Sequence, residues 1–140
     1  MGGWLEVLRQ KPPDGADDYS RRLPLIVGEY ACHPLVKASR YLGREHRGTF
    51  PALARVCVDS SAYHGESLWL DDRQAGELLA EFRRVRRIGR WQEFLAGLDG
   101  RRYHDLWREG KAPEEFEAHL DRIESLLAAA EGGGWVHLSL

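Results

Sequence analysis

Residues 54–87 read ARVCVDSSAYHGESLWLDDRQAGELLAEFRRVRR, and this stretch decides the fold class. Its first six residues alternate in character, with Val56 and Val58 on one face, and a second apolar run covers Ser67 to Leu70. Polar residues and Gly65 separate the two runs. Two short apolar segments around a polar turn predict a β-hairpin at about 54–70.

The same stretch continues directly into an amphipathic helix. Asp71 or Asp72 supplies an oxygen that can cap the first free backbone amides, and four arginines near the end complement the helix dipole. The apolar stripe recurs at helical spacing and predicts a helix at about 72–88; it consists of Ala75, Leu78, Leu79, Phe82 and Val85. Arg86 falls within this stripe, where we expect its stem to lie on the core and its charged end to reach solvent.

The carboxyl-terminal part of the chain repeats this pattern in a second helix and a strand. Pro113 is a favoured first helical residue, and the triple glycine that begins at Gly132 ends the periodic region. A helix at about 113–131 is therefore predicted. Residues 135–140 then alternate and predict a terminal strand, with His137 on the face opposite Val136 and Leu138.

Segments before residue 54 are less regular. Residues 11–22, with Pro-Pro, Asp-Gly and clustered charge, predict a surface loop, and 23–27 predict a short buried strand. Residues 4–9 could form a strand or a helical turn: Trp4, Val7 and Leu8 fit helical spacing, and the alternation of Leu5, Val7 and Arg9 is poor. We therefore expect one α+β domain over 1–140, with a mainly antiparallel sheet of three to five strands packed against the two main helices.

Composition narrows the class of protein. The hydrophobic fraction of 43% suits a compact globule, and the net charge of −2 argues against bulk attraction to nucleic acid or membranes. Two cysteines and no signal-peptide pattern predict a cytoplasmic protein without disulfides. Seventeen of the 20 basic residues are Arg, an excess that is typical of GC-rich bacterial genomes. No motif calls for a cofactor or a metal ion.

Charge is distributed unevenly along the chain. Residues 82–108 contain eight basic and three acidic residues, whereas 109–131 contain two basic and seven acidic residues. Segregated charge of this kind favours contacts with a partner of opposite charge, or else neutralisation of the two segments within the fold. The predicted partner-binding residues are Glu114, Glu117, Asp121 and Glu124 with Arg83, Arg84 and Arg87.

These features predict a small protein-binding module without catalysis, in an inhibitor, immunity-like or adaptor role, whose partner is another protein, possibly encoded nearby. In size and in lacking catalytic motifs the chain resembles immunity proteins of bacterial toxin systems.

Two alternatives use other residues. A metal-dependent hydrolase or nuclease would use Asp59, His64, Glu66, Asp71 and Asp72, which otherwise serve as turn and helix-cap residues. A nucleic-acid-binding regulator would use the Arg-rich segment 83–102, in which Trp91 is available for stacking.

Overall fold

The computed structural model describes residues 4–12, 19–31, 48, 50–53, 55, 67–87 and 112–139. Within these ranges the chain forms four strands, two long helices and shorter helical turns. In chain order the elements are β1 (Trp4–Leu8), α1 (Tyr19–Arg22), a 3-10 turn (Leu23–Leu25), β2 (Ile26–Ala31), β3 (Ser67–Leu70), α2 (Asp72–Arg87), α3 (Ala112–Ala129) and β4 (Trp135–Ser139).

The four strands form one antiparallel sheet in the order β2-β1-β4-β3. The α+β class with a mainly antiparallel sheet is therefore confirmed. Residues 4–8, which the sequence left open between a strand and a helical turn, form an inner strand that pairs with β2 on one side and β4 on the other. Leu5 and Val7 belong to the main hydrophobic cluster, whereas Glu6 between them is buried outside that cluster, so side chains of this strand are buried on both faces of the sheet.

One face of the sheet packs against the helices and makes the core. Leu5 and Val7 of β1 and Val136 and Leu138 of β4 lie on this inner face. The apolar stripe of α2 is buried against them as predicted, and α3 contributes a second stripe. The two stripes belong to one cluster and consist of Ala75, Leu78, Leu79, Phe82, Val85, Leu120, Ile123, Leu126 and Leu127. The two main helices are confirmed within one or two residues at each end.

Glycines turn the chain from α3 into β4. Gly132 and Gly133 have φ angles of 88° and 108°, in the left-handed region where a side chain is disfavoured. A β-carbon at Gly134 would lie 2.9 Å from the Ala130 Cα atom. The tight turn therefore needs glycine, and it places β4 directly under the end of α3.

The predicted hairpin at 54–70 is only half supported. Ser67–Leu70 is a strand as predicted, but within the described residues its partner is β4. Residues 51–53 and 55 are helical, so the predicted first strand of the hairpin does not include residue 55. The Glu81 carboxylate stabilises the helical residues, because it accepts hydrogen bonds from the Ala52 and Leu53 amides at 3.0 and 2.8 Å. Residues 56–66 lie outside the described ranges.

The amino-terminal boundaries also shift. The strand predicted at 23–27 begins at Ile26 and continues to Ala31, because Pro24 lies in a 3-10 turn where its missing amide is not needed. In the segment 11–22, predicted as a surface loop, Tyr19–Arg22 forms a helical turn and Arg22 is buried. Residues 13–18 lie outside the described ranges.

Candidate functional site

Asp71, predicted as a metal ligand in the hydrolase alternative, caps α2 instead. Its Oδ1 accepts a hydrogen bond from the Gln74 amide at 2.8 Å, and Gln74 Oε1 accepts one from the Asp71 amide at 3.0 Å. This reciprocal pair satisfies two backbone donors at the helix start. Asp72 is exposed, and its carboxylate accepts from the Arg73 amide at 2.8 Å.

The remaining residues of that alternative, Asp59, His64 and Glu66, lie outside the described ranges. In the part of the chain that the structure describes, no group of three or more His, Cys, Asp or Glu residues is arranged to hold a metal ion.

The acidic face of α3 meets the basic end of α2. Arg86 donates to three carboxylates: Glu124 at 2.6 Å, Glu117 at 2.8 Å and Asp121 at 2.9 Å. Arg83 adds a 2.7 Å ion pair with Glu124. We call these five residues the helix seam. Three of the acids and one arginine predicted to bind a partner therefore contact residues of this chain.

Arg86 is the centre of the helix seam and was not among the predicted site residues. Its side chain is 20% exposed, since it starts from the apolar stripe of α2 as expected, but its charged end binds the three acids. Burial lowers the pKa of Arg86, and the hydrogen bonds to Asp121, Glu117 and Glu124 outweigh it, so the pKa is raised overall. Two features of the sequence could have indicated Arg86: its position within the apolar stripe of α2, and the acidic residues of the helix that follows.

The other predicted basic residues differ in their surroundings. The Arg84 guanidinium lies 4.8 Å from the centroid of the Phe50 ring, in a cation–π contact. Arg87 is exposed at the end of α2. The Glu114 side chain and residues 88–102, which contain the rest of the Arg-rich segment, lie outside the described residues.

A groove of about 410 Å³ lies between α2 and residues 51–55. Its apolar lining includes Leu70 and Leu78, and Glu77 and Glu81 lie at its polar side. The groove carries no free carboxylate, because Glu77 pairs with Arg73 at 2.9 Å and Glu81 caps the helical residues 52 and 53.

The sheet face opposite the helices carries a row of polar side chains. Glu6 of β1, His137 of β4 and Trp69 of β3 are successive register partners across the sheet. The His137 and Trp69 rings stack with centroids 4.3 Å apart. Arg22 reaches the same row from the end of α1, with its Nη2 atom 3.5 Å from Glu6 Oε1. We call Glu6, Arg22 and His137 the polar cluster.

The polar cluster is buried but incompletely satisfied. Glu6 is 2% exposed, His137 1% and Arg22 7%. Four of its atoms have no hydrogen-bond partner within the described structure: Glu6 Oε2, Arg22 Nε and both ring nitrogens of His137. Burying a polar atom without a partner costs about 1–3 kcal/mol, so these four atoms set the polar cluster apart from an ordinary satisfied core.

The polar cluster was missed in the sequence because its members are far apart. Only the alternation of residues 135–140, which puts His137 opposite Val136 and Leu138, indicated one member. The pairing of β1 with β4, which brings Glu6 beside His137, has no local signal.

Exposed apolar side chains gather on the β2 side of the sheet. Among the described residues the large exposed ones are Leu23 and Val27, each 53% exposed, and Trp4, 38% exposed. Val27 lies near the start of β2, and Leu23 lies in the 3-10 turn before it. Trp4 of β1 is next to the far end of β2 through the Trp4–Ala31 register pair. Within the described residues β2 pairs only with β1, so it is an edge of the sheet. We call Leu23, Val27 and Trp4 the β2 surface.

Within the described ranges, no helix is both long enough and apolar enough to cross a membrane. Comparison with protein-family models, with curated proteins and with solved structures finds no match for this chain.

Proposed function

We propose that this protein is a binding module for another protein, acts without catalysis, and contacts its partner through the β2 surface. The observation that carries the proposal is the exposure of Val27 on β2, of Leu23 in the turn before it and of Trp4 on the adjoining strand β1, in a chain whose other large apolar side chains, where described, are buried or half-buried. Exposed apolar residues that line an edge strand are typical of sites for protein association.

The kind of partner follows from the shape of this surface. The six residues of β2 extend over roughly 20 Å, and among the described strands β2 pairs on one side only. An extended segment of the partner that pairs along the other side of β2 would place its apolar side chains over Val27. We therefore propose a partner that contributes a strand.

The charged residues predicted from the sequence have a smaller part in this proposal. Glu117, Asp121, Glu124 and Arg83 are engaged in the helix seam, so a partner would have to displace contacts that this chain already makes. Arg87 is exposed, and we keep it as a contact for an acidic residue of the partner. An inhibitor, immunity-like or adaptor role in the bacterial cytoplasm, with the partner encoded nearby, is part of the same proposal.

The test is site-specific photo-crosslinking in the native host, followed by affinity measurement with the purified partner. A crosslinker at Val27 should capture one protein that a crosslinker at Ala80, which is exposed on α2, does not capture. V27K should then weaken binding of that protein at least tenfold, and A80K less than twofold. Capture from Ala80 alone, equal effects of the two substitutions, or no specific capture at Val27 would contradict the proposal.

A further inference from the structure

Two nitrogen-bearing side chains approach the same oxygen atom in the polar cluster. Glu6 Oε1 lies 3.5 Å from Arg22 Nη2 and 3.7 Å from His137 Nδ1. The other oxygen, Oε2, is buried and accepts no hydrogen bond within the described structure. Arg22 always carries a positive charge, whereas histidine side chains change charge between about pH 5 and 8. Protonation of His137 would therefore place a second positive charge beside the carboxylate of Glu6, where it would attract Glu6 and repel the Arg22 guanidinium.

His137 and Arg22, which both approach Glu6, differ in how many contacts hold them in the fold. His137 lies in β4, which pairs with β1 on one side and β3 on the other, and its ring stacks on Trp69. Arg22 ends a helical turn of four residues that leads into the exposed Leu23. A change in the contacts of Glu6 would therefore displace Arg22 and leave His137 in place.

We propose that the polar cluster is a pH-sensitive latch: neutral His137 leaves Glu6 to Arg22, and protonated His137 takes Glu6 and releases residues 19–25 from the sheet. Residues 19–25 are attached to the sheet at neutral pH and detach as the pH falls. Because Arg22 precedes Leu23, opening would rearrange one end of the β2 surface. That consequence for partner binding rests on the proposed function, but the latch itself does not.

Other charged groups on this face do not select between the two states. Glu29 of β2 is the register partner of Glu6 on the side away from His137, and it faces the row in both states. The Lys11 amine lies 5.5 Å from the centroid of the Trp135 ring, and Trp135 is two residues before His137 in β4. Trp69, on the β3 side of His137, does not titrate. The competition therefore involves Glu6, Arg22 and His137 alone among the described residues.

Hydrogen exchange of the isolated protein tests the latch without a partner. After correction for intrinsic chemical rates, amides of residues 20–26 should lose protection by a factor on the order of 3 to 10 between pH 7.5 and 5.5, as expected for one weak charged contact. R22Q should show the low protection at both pH values. R21Q, which changes the exposed neighbour, should behave like the parent protein. H137Q should keep high protection at both pH values.

A second readout reports the protonation itself. A protonated imidazole stacked on an indole quenches its fluorescence, so the difference in emission between the parent protein and W69F should fall over the same pH range in which protection is lost. Protection that does not change with pH in the parent protein would overturn the latch, as would a change that persists in H137Q. If H137Q does not fold, a fluorescence change over a pH range different from that of the exchange would overturn it.

Discussion

Gly28 is a position in β2 where α3 packs closely on the sheet. A β-carbon at this residue would lie 2.7 Å from Cδ2 of Leu126, which is 5% exposed and has little room to move. We predict that G28A lowers the free energy of unfolding by about 1–3 kcal/mol through overpacking. Chemical denaturation monitored by far-ultraviolet circular dichroism would measure the change.

Gly76 provides the matched control for Gly28. It is exposed in the middle of α2, and a β-carbon there would meet no atom within 4 Å. G76A should stabilise the protein by about 0.5–1 kcal/mol, since alanine restricts the unfolded chain. In an L126A background the cost of G28A should disappear. A cost that is unchanged in that background would show that the clash with Leu126 is not its cause.

The helix seam joins α2 to α3 through Arg86. We predict that R86M, which keeps the apolar stem but removes the charge, lowers the free energy of unfolding by about 1–2 kcal/mol, because three carboxylates lose their shared partner. The loss should shrink with added salt, since Glu117 and Asp121 are 50% and 71% exposed. Thermal or chemical unfolding at two salt concentrations would measure both effects.

Arg73 allows a control on the same helix. Its ion pair with Glu77 joins side chains that are 72% and 56% exposed, so R73M should change the free energy of unfolding by no more than about 0.5 kcal/mol. The raised pKa of Arg86 means that its own charge is present at every pH below the ordinary arginine range. Arg86 itself therefore adds no pH dependence near neutrality. Equal losses in R73M and R86M would contradict the structural role of the helix seam.

How far the sequence predicts the charged residues depends on which contacts are local. The helix stripes placed Arg86 toward the core and Glu117, Asp121 and Glu124 on one face of α3, and both placements agree with the structure. The sequence could not decide whether the acids meet a partner or the arginines of α2. That choice depends on the packing angle of two helices, which no spacing within either helix encodes.

At the level of the whole chain, elements with strong periodicity were predicted and pairings were not. The stripes of α2 and α3 and the alternation of β4 are local signals, and the structure contains all three elements. Nearness in sequence predicted residues 54–59 as the partner of Ser67–Leu70, whereas its partner among the described residues is the distant strand β4. The polar cluster was missed for the same reason, since β1 and β4 meet only in the folded sheet.

β4 is an inner strand, and the sheet depends on it. It supplies Val136 and Leu138 to the core and links β1 to β3, which do not pair with each other in the described sheet. We predict that removing residues 135–140 abolishes cooperative unfolding. The loss of β4 would leave one edge of β1 and one edge of β3 unpaired and would expose the centre of the core. A scanning calorimetry trace of the truncated chain that kept a sharp transition near that of the parent would refute this.

Leu8 pairs with Trp135, at a separation of 127 positions (135 minus 8). During translation β1 can associate early with β2, but its other side has to wait for residues that are made about 100 positions later. At the usual 5–20 residues per second this interval is roughly 5–20 s. During this interval the nascent chain exposes Leu5 and Val7 on a two-stranded ribbon. We therefore expect chaperones to bind the amino-terminal segment during synthesis.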